Sequence, residues 1–305
     1  MQSDGVKVTI MIPTYNQEDY VIQAVESALM QDYKNIEVLV VDDCSNDDTQ
    51  EVMQRYKKDH RLKYIRNRYN LGRVRNYHNI LYTHATGDWV VNLDGDDYYV
   101  DKTFISTAIK DIQKASEHTE VVAYLFGQKI RKIKKKYEYI DISENSILIS
   151  GKDYFLNYYK IGNFVHMNTI YRRDIAITLD CYTKLYQASD FQSLMRIFLL
   201  GNIILNKNKI GVWRVHGNNT TIKEVSQKQQ QAMETFADIE LFARSFFSLQ
   251  EMQVWRNKMH KLSYKDYVAT YIHSKRDLKG AFLLLRTFRF QYGYFRLLFY
   301  YLFHY

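Results

Sequence analysis

Four short strand-like runs in the first hundred residues, each broken off by a polar loop, limit the possible folds of this chain more than any other feature. Val8–Ile12 leads into Pro13-Thr-Tyr-Asn16, and Glu37–Val41 into Asp42-Asp43-Cys44-Ser45-Asn46-Asp47-Asp48-Thr49. Leu62–Arg66 is followed by Asn70-Leu-Gly-Arg73, and Trp89–Leu93 ends in Asp94-Gly-Asp-Asp97. β-Branched and aromatic side chains in runs this short suit a packed strand better than a helix. Between the runs lie stretches of helical character. Tyr20–Gln31 carries Val21, Ala24, Val25, Ala28 and Leu29 at helical spacing, a helix of about three turns is expected after the Asp42–Thr49 loop and ending near His60, and another spans Val74–Thr83. Strands joined by crossovers of this length predict an α/β fold, a mostly parallel Rossmann-like sheet with helices on both faces. In such a sheet ligands bind outside the carboxyl ends of the strands, where all four polar loops fall.

The fourth loop is chemically the most pointed. Asp94, Asp96 and Asp97 would repel one another unless a hard cation such as Mg²⁺ or Mn²⁺ sat among them, carrying substrate phosphates. On these four residues alone an exposed acidic turn is an equal alternative. The chain has 305 residues and a formal net charge of +8, enough for one large domain with an appendage, and the charge points to an anionic partner: nucleic acid, an anionic membrane or a phosphorylated substrate. Composition does not choose among these, and no nucleic-acid-binding motif accompanies the charge. The two cysteines, Cys44 and Cys181, form no CxxC pattern, offer neither a disulfide framework nor a zinc site, and are consistent with a reducing cytosol. No secretory pattern and no run of about 20 apolar residues is found, so a cytoplasmic chain, neither exported nor integral to a membrane, is expected.

Taken together and in order, Ile12-Pro-Thr-Tyr-Asn16, Val40-Val-Asp-Asp-Cys-Ser-Asn-Asp-Asp-Thr49, Asn70-Leu-Gly72 and Leu93-Asp-Gly-Asp-Asp97 resemble the nucleotide-sugar half of the inverting family 2 glycosyltransferases of the GT-A fold, of bacterial polysaccharide type. Ala188-Ser-Asp-Phe191 with Leu194 and Arg196 is similar to that family's acidic motif. Trp213-Arg-Val-His-Gly-Asn-Asn219 is similar to its Tyr-Arg-x-His segment, with Trp in place of Tyr. The resemblance covers roughly residues 6 to 220. It implies a donor site of Pro13, Tyr15, Asp43, Arg73, Asp94, Gly95 and Asp96, with Pro13 and Tyr15 as walls of the base pocket and Asp43 as acceptor for a uracil-type N–H. Asp42 either joins this pocket or only shapes its loop. Arg73 or Arg75 faces the base or phosphates, or lies on a solvated helix face. It further implies a metal, Mn²⁺ or Mg²⁺, held by Asp96, Asp94 and His216 and acting as a Lewis acid on the departing diphosphate, with Asp97 in a supporting or structural place and Arg214 able to pair with phosphate. Asp190 is implied as the general base, which an inverting transfer needs on the face opposite the leaving group. Spacing alone favours a plain helix N-terminal residue ahead of the stripe Phe191, Leu194, Ile197 and Phe198; the preceding motifs reverse that preference.

The expected organisation is a GT-A domain over 1–225, with a nucleotide-sugar half (1–100) and an acceptor half (101–225), then a helical C-terminal region (226–305). Within the acceptor half, Val121–Phe126 reads as a strand and Ile210–Val215 as another. Gln128–Lys136 reads as an exposed basic hairpin strand, which either binds a phosphorylated acceptor or is a solvated face. By resemblance, Phe164–Asn168 lies near the acceptor. Met233, Phe236, Ile239, Leu241, Phe242 and Phe246, then Met252, Trp255 and Met259, predict helices packed on the catalytic domain. The final stretch interleaves Arg286, Arg289 and Arg296 with aromatic residues; it reads either as an interfacial helix on the inner membrane surface or as an aromatic helix buried in the core or a dimer interface. The function these readings imply is transfer of a sugar from a nucleoside diphosphate donor, expected to be a UDP-sugar, to a hydroxyl of a glycan or lipid-linked saccharide in surface polysaccharide synthesis. The alternatives are a polyprenyl-phosphate glycosyl synthase and a nucleotide-sugar-binding protein without turnover.

Overall fold

The structure, a computed structural model, describes residues 5–161, 164–186, 188–216 and 225–275. The aromatic tail and Gly217–Asn219 of the Trp-Arg-x-His segment lie outside the described residues. The fold is built on β1 (Val8–Thr14), β2 (Ile36–Asp42), β3 (Leu62–Arg66), β4 (Trp89–Asn92), β5 (Tyr98–Tyr99), β6 (Val121–Leu125), β7 (Ile140–Ser143), β8 (Ser146–Ser150), β9 (Thr169–Arg172), β10 (Asn202–Asn206) and β11 (Gly211–Val212). Nine of these strands form one sheet in the order β3-β2-β1-β4-β9-β6-β10-β8-β7, and β5 pairs with β11 in a separate ribbon.

The expected parallel half is present. β3, β2, β1 and β4 are parallel neighbours, with Val8 opposite Ile36 on one side and Trp89 on the other. The polar loops after these strands therefore meet at one edge. β1 and β4 are buried along their whole length, as strands covered on both faces must be. In the second half β9 enters antiparallel between β4 and β6, and β8 and β7 continue antiparallel beyond β10. Only β6 and β10 pair in parallel there. Helix 21–29 buries Val21, Ala24, Val25 and Ala28, the stripe its spacing predicts.

Several local expectations are corrected. β1 runs through Pro13 and Thr14, which pair with Val41 and Asp42; the turn begins only at Tyr15. The helix after the Asp42–Thr49 loop is one short turn, Thr49–Val52, followed by a 3₁₀ turn, Met53–Tyr56. The basic run is a helix, Ile130–Lys134, not a strand. Ile130 and Ile133 are both buried there, and a spacing of three places two residues on one helical face but on opposite faces of a strand. The Ile210–Val215 strand shrinks to Gly211–Val212.

Glycine is required where backbones touch. An added Cβ at Gly151 would lie 1.8 Å from the Phe198 carbonyl oxygen and 2.4 Å from that of Gly201. Gly72, at φ +83°, opens the helix Arg73–Asn79 in a conformation that other residues rarely adopt.

The chain divides into two compact units, residues 1–185 with 189–215, and 186–188 with 216–305. Among the described residues the second holds two helices, Val225–Ala243 and Leu249–Lys275. Phe236, Ile239, Ala243, Met252, Trp255 and Met259 are buried, with Phe236 edge-on to Trp255 at 6.3 Å. Ser248 and Glu251 form a reciprocal capping box at the start of the second helix, each accepting from the other's backbone N–H. Among the described residues no helix is long and apolar enough to cross a membrane.

Candidate active site

The loops after β1 and β2 are tied to each other by a set of short polar contacts. Asn16 N–H donates to Ser45 Oγ (2.9 Å) and Asn46 N–H to Asn16 Oδ1 (2.8 Å); Glu18 N–H reaches Asp47 Oδ2 at 3.0 Å. Asn16 and Cys44 take positive φ values, +52° and +65°, at the two turns, a placement common beside ligand sites. Asp42 is fully buried and accepts from Ser45 N–H and Oγ–H and from Tyr64 O–H. It shapes the loop, and Tyr64 is pushed well above the usual phenol range by burial and by this carboxylate.

Asp43 sits one residue on and is 3 % exposed. Its Oδ1 accepts from Leu71 N–H (2.8 Å) and Asn67 Nδ2 (2.9 Å), and its Oδ2 from Gly72 N–H (2.8 Å). A carboxylate has about four acceptor places, so it can hold the Asn70-Leu-Gly72 turn and still accept one further hydrogen bond. Pro13 is buried toward the end of β1, whereas Tyr15 is 43 % exposed just beyond it. Gly95 N–H donates to Pro13 O (3.3 Å) and Asp43 N–H to Thr14 O (2.9 Å). The three strand ends thus converge. A Cβ at Gly95 would come within 2.4 Å of Gln17 Oε1.

Asp94, Asp96 and Asp97 lie together, with one carboxylate oxygen from each within 4.8 Å of the others. Three hard oxygen donors at this separation suit Mg²⁺ or Mn²⁺. Asp97 is buried, and burial together with the charges of Asp94 and Asp96 pushes its carboxyl up to about 7, although Arg214 N–H donates to it at 2.8 Å. Crowded like charges of this kind are what a bound cation relieves. The β5–β11 ribbon holds this contact, and the Arg214 guanidinium lies over the rings of Tyr20 (4.8 Å) and Tyr98 (5.2 Å).

The carboxylate of Asp94 is the hub of a second group. Tyr77 O–H donates to its Oδ1, and His166 Nε2 lies 3.1 Å from its Oδ2. The other ring nitrogen, Nδ1, is 3.0 Å from Asp190 Oδ2. One imidazole therefore spans the distance between the carboxylate at the end of β4 and the first turn of helix Ser189–Phe198. The His166 side chain is 13 % exposed, that of Asp94 28 % and that of Asp190 26 %. Burial opposes charge on His166, but the two carboxylates outweigh it and hold its pKa at about 10. Burial likewise disfavours charge on Asp94 and Asp190, yet His166 and Arg73 keep both below the usual carboxylate range. Arg73, half-buried at the start of its helix, faces both carboxylates, while Arg75 is exposed.

Of the expected site residues, the first unit thus brings Pro13, Tyr15, Asp43, Arg73, Asp94, Gly95, Asp96 and Asp190 to the carboxyl edge of β1, β2 and β4 and the loops around it. His216 is half-buried at the start of the second unit. His166 belongs to the stretch Phe164–Asn168 that the resemblance puts near the acceptor, but its contact with Asp94 and Asp190 is not anticipated from sequence, and neither are Tyr77, Tyr182 and Asn92. Tyr77 follows Arg73 by four residues on one helix, a spacing that could have revealed it. Tyr182, at φ +62°, stacks on Tyr77 at 5.3 Å and accepts from Asn92 Nδ2 at 2.7 Å, so that Asn92 and Tyr171 support the ring beneath Asp94.

Comparison with known proteins gives the family and the fold. The sequence profile described as Glycosyl transferase family 2 matches residues 9–179, just over half of the 305. The chain belongs to glycosyl transferase family 2. Among its relatives, an uncharacterised glycosyltransferase of Rickettsia felis is 35% identical over 48% of this chain, and the match spans only 22% of that protein's length. The GalNAc(5)-diNAcBac-PP-undecaprenol β-1,3-glucosyltransferase of Campylobacter jejuni is 34% identical over 49% of this family 2 chain and 48% of its own. The UDP-Glc:α-D-GlcNAc-diphosphoundecaprenol β-1,3-glucosyltransferase of Escherichia coli is 42% identical over 30% of this chain and 36% of its own. Two solved structures share the fold. Staphylococcus aureus TarS 1–349 in complex with UDP-GlcNAc has a TM-score of 0.61 at 19% identity, covering 93% of this chain and 91% of that one. The Pyrobaculum calidifontis mannosyltransferase with GDP-Man and Mn²⁺ has 0.61 at 18%, covering 98% and 85%. The GT-A fold class with a helical C-terminal region is thereby borne out.

Proposed function

We propose that this chain is an inverting, metal-dependent glycosyltransferase that moves a sugar from a UDP-sugar to a hydroxyl of a lipid-linked saccharide during bacterial surface polysaccharide synthesis. The observation that carries the proposal is the joining of Asp94, at the strand edge where the donor binds, to Asp190 through one histidine. It provides a donor carboxylate and a base in one site. The named activities of the relatives on diphosphoundecaprenol-linked acceptors, and the UDP-GlcNAc in the TarS fold, support the choice of donor and acceptor class.

In the transfer, Asp190 takes the proton as the acceptor O–H bond breaks. The acceptor oxygen forms its bond to the anomeric carbon, and the bond from that carbon to the donor phosphate breaks with its electron pair leaving on the nucleoside diphosphate. Tyr15 and Pro13 flank the base, with the remaining acceptor place on Asp43 for its N–H. Arg73 lies where a diphosphate charge can be met. Asp96 and Asp94, with Asp97 against them, would hold Mn²⁺ or Mg²⁺; the ion supplies Lewis-acid stabilisation of the leaving diphosphate. The domain organisation is 1–225 for transfer and 226–305 as a helical region, with the protein on the inner face of the cytoplasmic membrane through its basic aromatic tail.

A thermal-shift screen with Mn²⁺ against UDP-, GDP-, CMP- and TDP-sugars tests this. A ligand at about 100 times its Kd stabilises by about 2.7 kcal/mol. Stabilisation by UDP-sugars alone, lost in Asp96→Ala, is expected; equal stabilisation of the variant, or none by any donor, would sink the metal-assisted donor site.

A further inference from the structure

We propose that His166 is the positioning residue of this site, its imidazole fixing Asp190 against Asp94 so that the base stands where the acceptor proton must go. The inference rests on the glycosyl-transfer reading and adds a residue to it. The three groups come from distant parts of the chain: the loop after β4, the 3₁₀ turn His166–Asn168 that precedes β9, and the helix Ser189–Phe198. Their meeting is a consequence of topology. β9 lies antiparallel beside β4, with Val91 opposite Ile170, which brings the turn before β9 alongside the loop after β4.

The histidine itself is held firmly. Its neighbour Met167 is buried, Asn168 N–H donates to Val165 O at 2.9 Å, and Thr169 Oγ1 donates to the same carbonyl at 3.1 Å. The edge of the ring meets Tyr77 at 6.2 Å and 67°.

Nδ1 makes its contact with Asp190 at 3.0 Å, whereas Nε2 is 3.1 Å from Asp94 but outside hydrogen-bond geometry and has no hydrogen-bond partner. A buried neutral imidazole pairs one ring nitrogen with an acceptor and the other with a donor. This one has a carboxylate at each end of the ring. Glutamine offers N–H donors at one position only, so it can replace the contact with Asp190 but cannot also set a nitrogen against Asp94. Asp94 keeps Tyr77 when His166 is removed, and Arg73 still faces it, while Asp190 loses its directed side-chain partner. The loss should therefore fall on the chemical step more than on donor binding.

The experiment is a double-mutant cycle on the full chain with Mn²⁺ and the UDP-sugar selected by the screen, reading UDP release with and without acceptor. The variants are His166→Ala, His166→Gln, Asp190→Asn and His166→Ala/Asp190→Asn. Misplacing a catalytic group by about 1 Å costs on the order of 100-fold. Expected are a kcat about 100-fold lower in His166→Ala, a donor KM within about threefold, partial rescue to about 10-fold in His166→Gln, and a double variant no slower than Asp190→Asn alone. Losses that multiply in the double variant, or that appear only in KM, overturn the positioning role and leave the transfer reading standing. A wild type that turns over no donor overturns the transfer reading and this inference with it. If His166→Ala does not fold, the same cycle is run with His166→Gln, for which non-additivity remains the criterion.

Discussion

Removing the Asp43 carboxylate separates its two possible duties, holding a turn and accepting from a base. In Asp43→Ala, Gly72 N–H keeps Asn70 Oδ1 (2.9 Å) and Asn67 Nδ2 keeps Asn76 Oδ1 (3.0 Å), but Leu71 N–H has no second acceptor among the described residues. One stranded donor costs about 1–3 kcal/mol, and each of the two weakened charge-assisted bonds adds about 1 kcal/mol. Removing a buried charge returns part of this, because its desolvation is no longer needed. The balance is a loss of about 3 kcal/mol. For a domain of roughly 200 residues that corresponds to a Tm lower by about 6–12 °C. Asp43→Asn keeps the volume and one acceptor but turns an amide N–H₂ toward a donor, so it should lose about half as much. The assay is thermal unfolding by circular dichroism, followed by titration of UDP below the new Tm. A Tm for Asp43→Ala within about 2 °C of wild type would refute the turn-holding role; a lower Tm with unchanged affinity for UDP would restrict Asp43 to that role.

Four further outcomes are expected. Gly151→Ala drives a methyl group into two backbone carbonyls, and overpacking of this kind costs about 1–3 kcal/mol or more; Tm should fall, and an unchanged Tm would refute the close approach. Ile133→Asp should destabilise the basic helix, since Ile133 is fully buried, whereas Lys132→Asp on its exposed face should change Tm by less than about 1 °C; similar effects from both would reject the helical phase. Glu37 accepts from Thr9, Thr86 and Lys7, and although burial raises its pKa these bonds hold it below 4.5. A depressed folded-state pKa gives stability that is present above the unfolded value and lost as pH falls through the folded value, so Glu37→Gln should flatten the decline of Tm below about pH 4.5; a decline as steep as wild type's would refute it. Trp255→Ala removes a ring that is 1 % exposed and should cost about 3–5 kcal/mol, read as a lower midpoint in urea.

The sequence by itself determined the parallel half of the sheet, because β1, β2 and β4 are short apolar runs separated by crossovers, and hydrophobic burial along one strand needs no distant partner to be recognised. It also determined which side chains stand near the ends of those strands, since the segments Pro13–Asn16, Asp42–Thr49 and Asp94–Asp97 follow the runs, although Pro13, Thr14 and Asp42 are still paired in the sheet. Phase was readable where the pattern was long, as in helix 21–29, and misleading where only two isoleucines, three apart, stand among lysines. What only the tertiary structure decided is which of these groups touch. That β9 is inserted antiparallel beside β4, that Asp43 holds a turn about 30 residues away, and that His166 lies between Asp94 and Asp190 all follow from contacts between residues tens of positions apart. Such contacts leave no periodic trace along the chain. A histidine between two carboxylates is defined by distance and direction in space, which the order of residues does not carry.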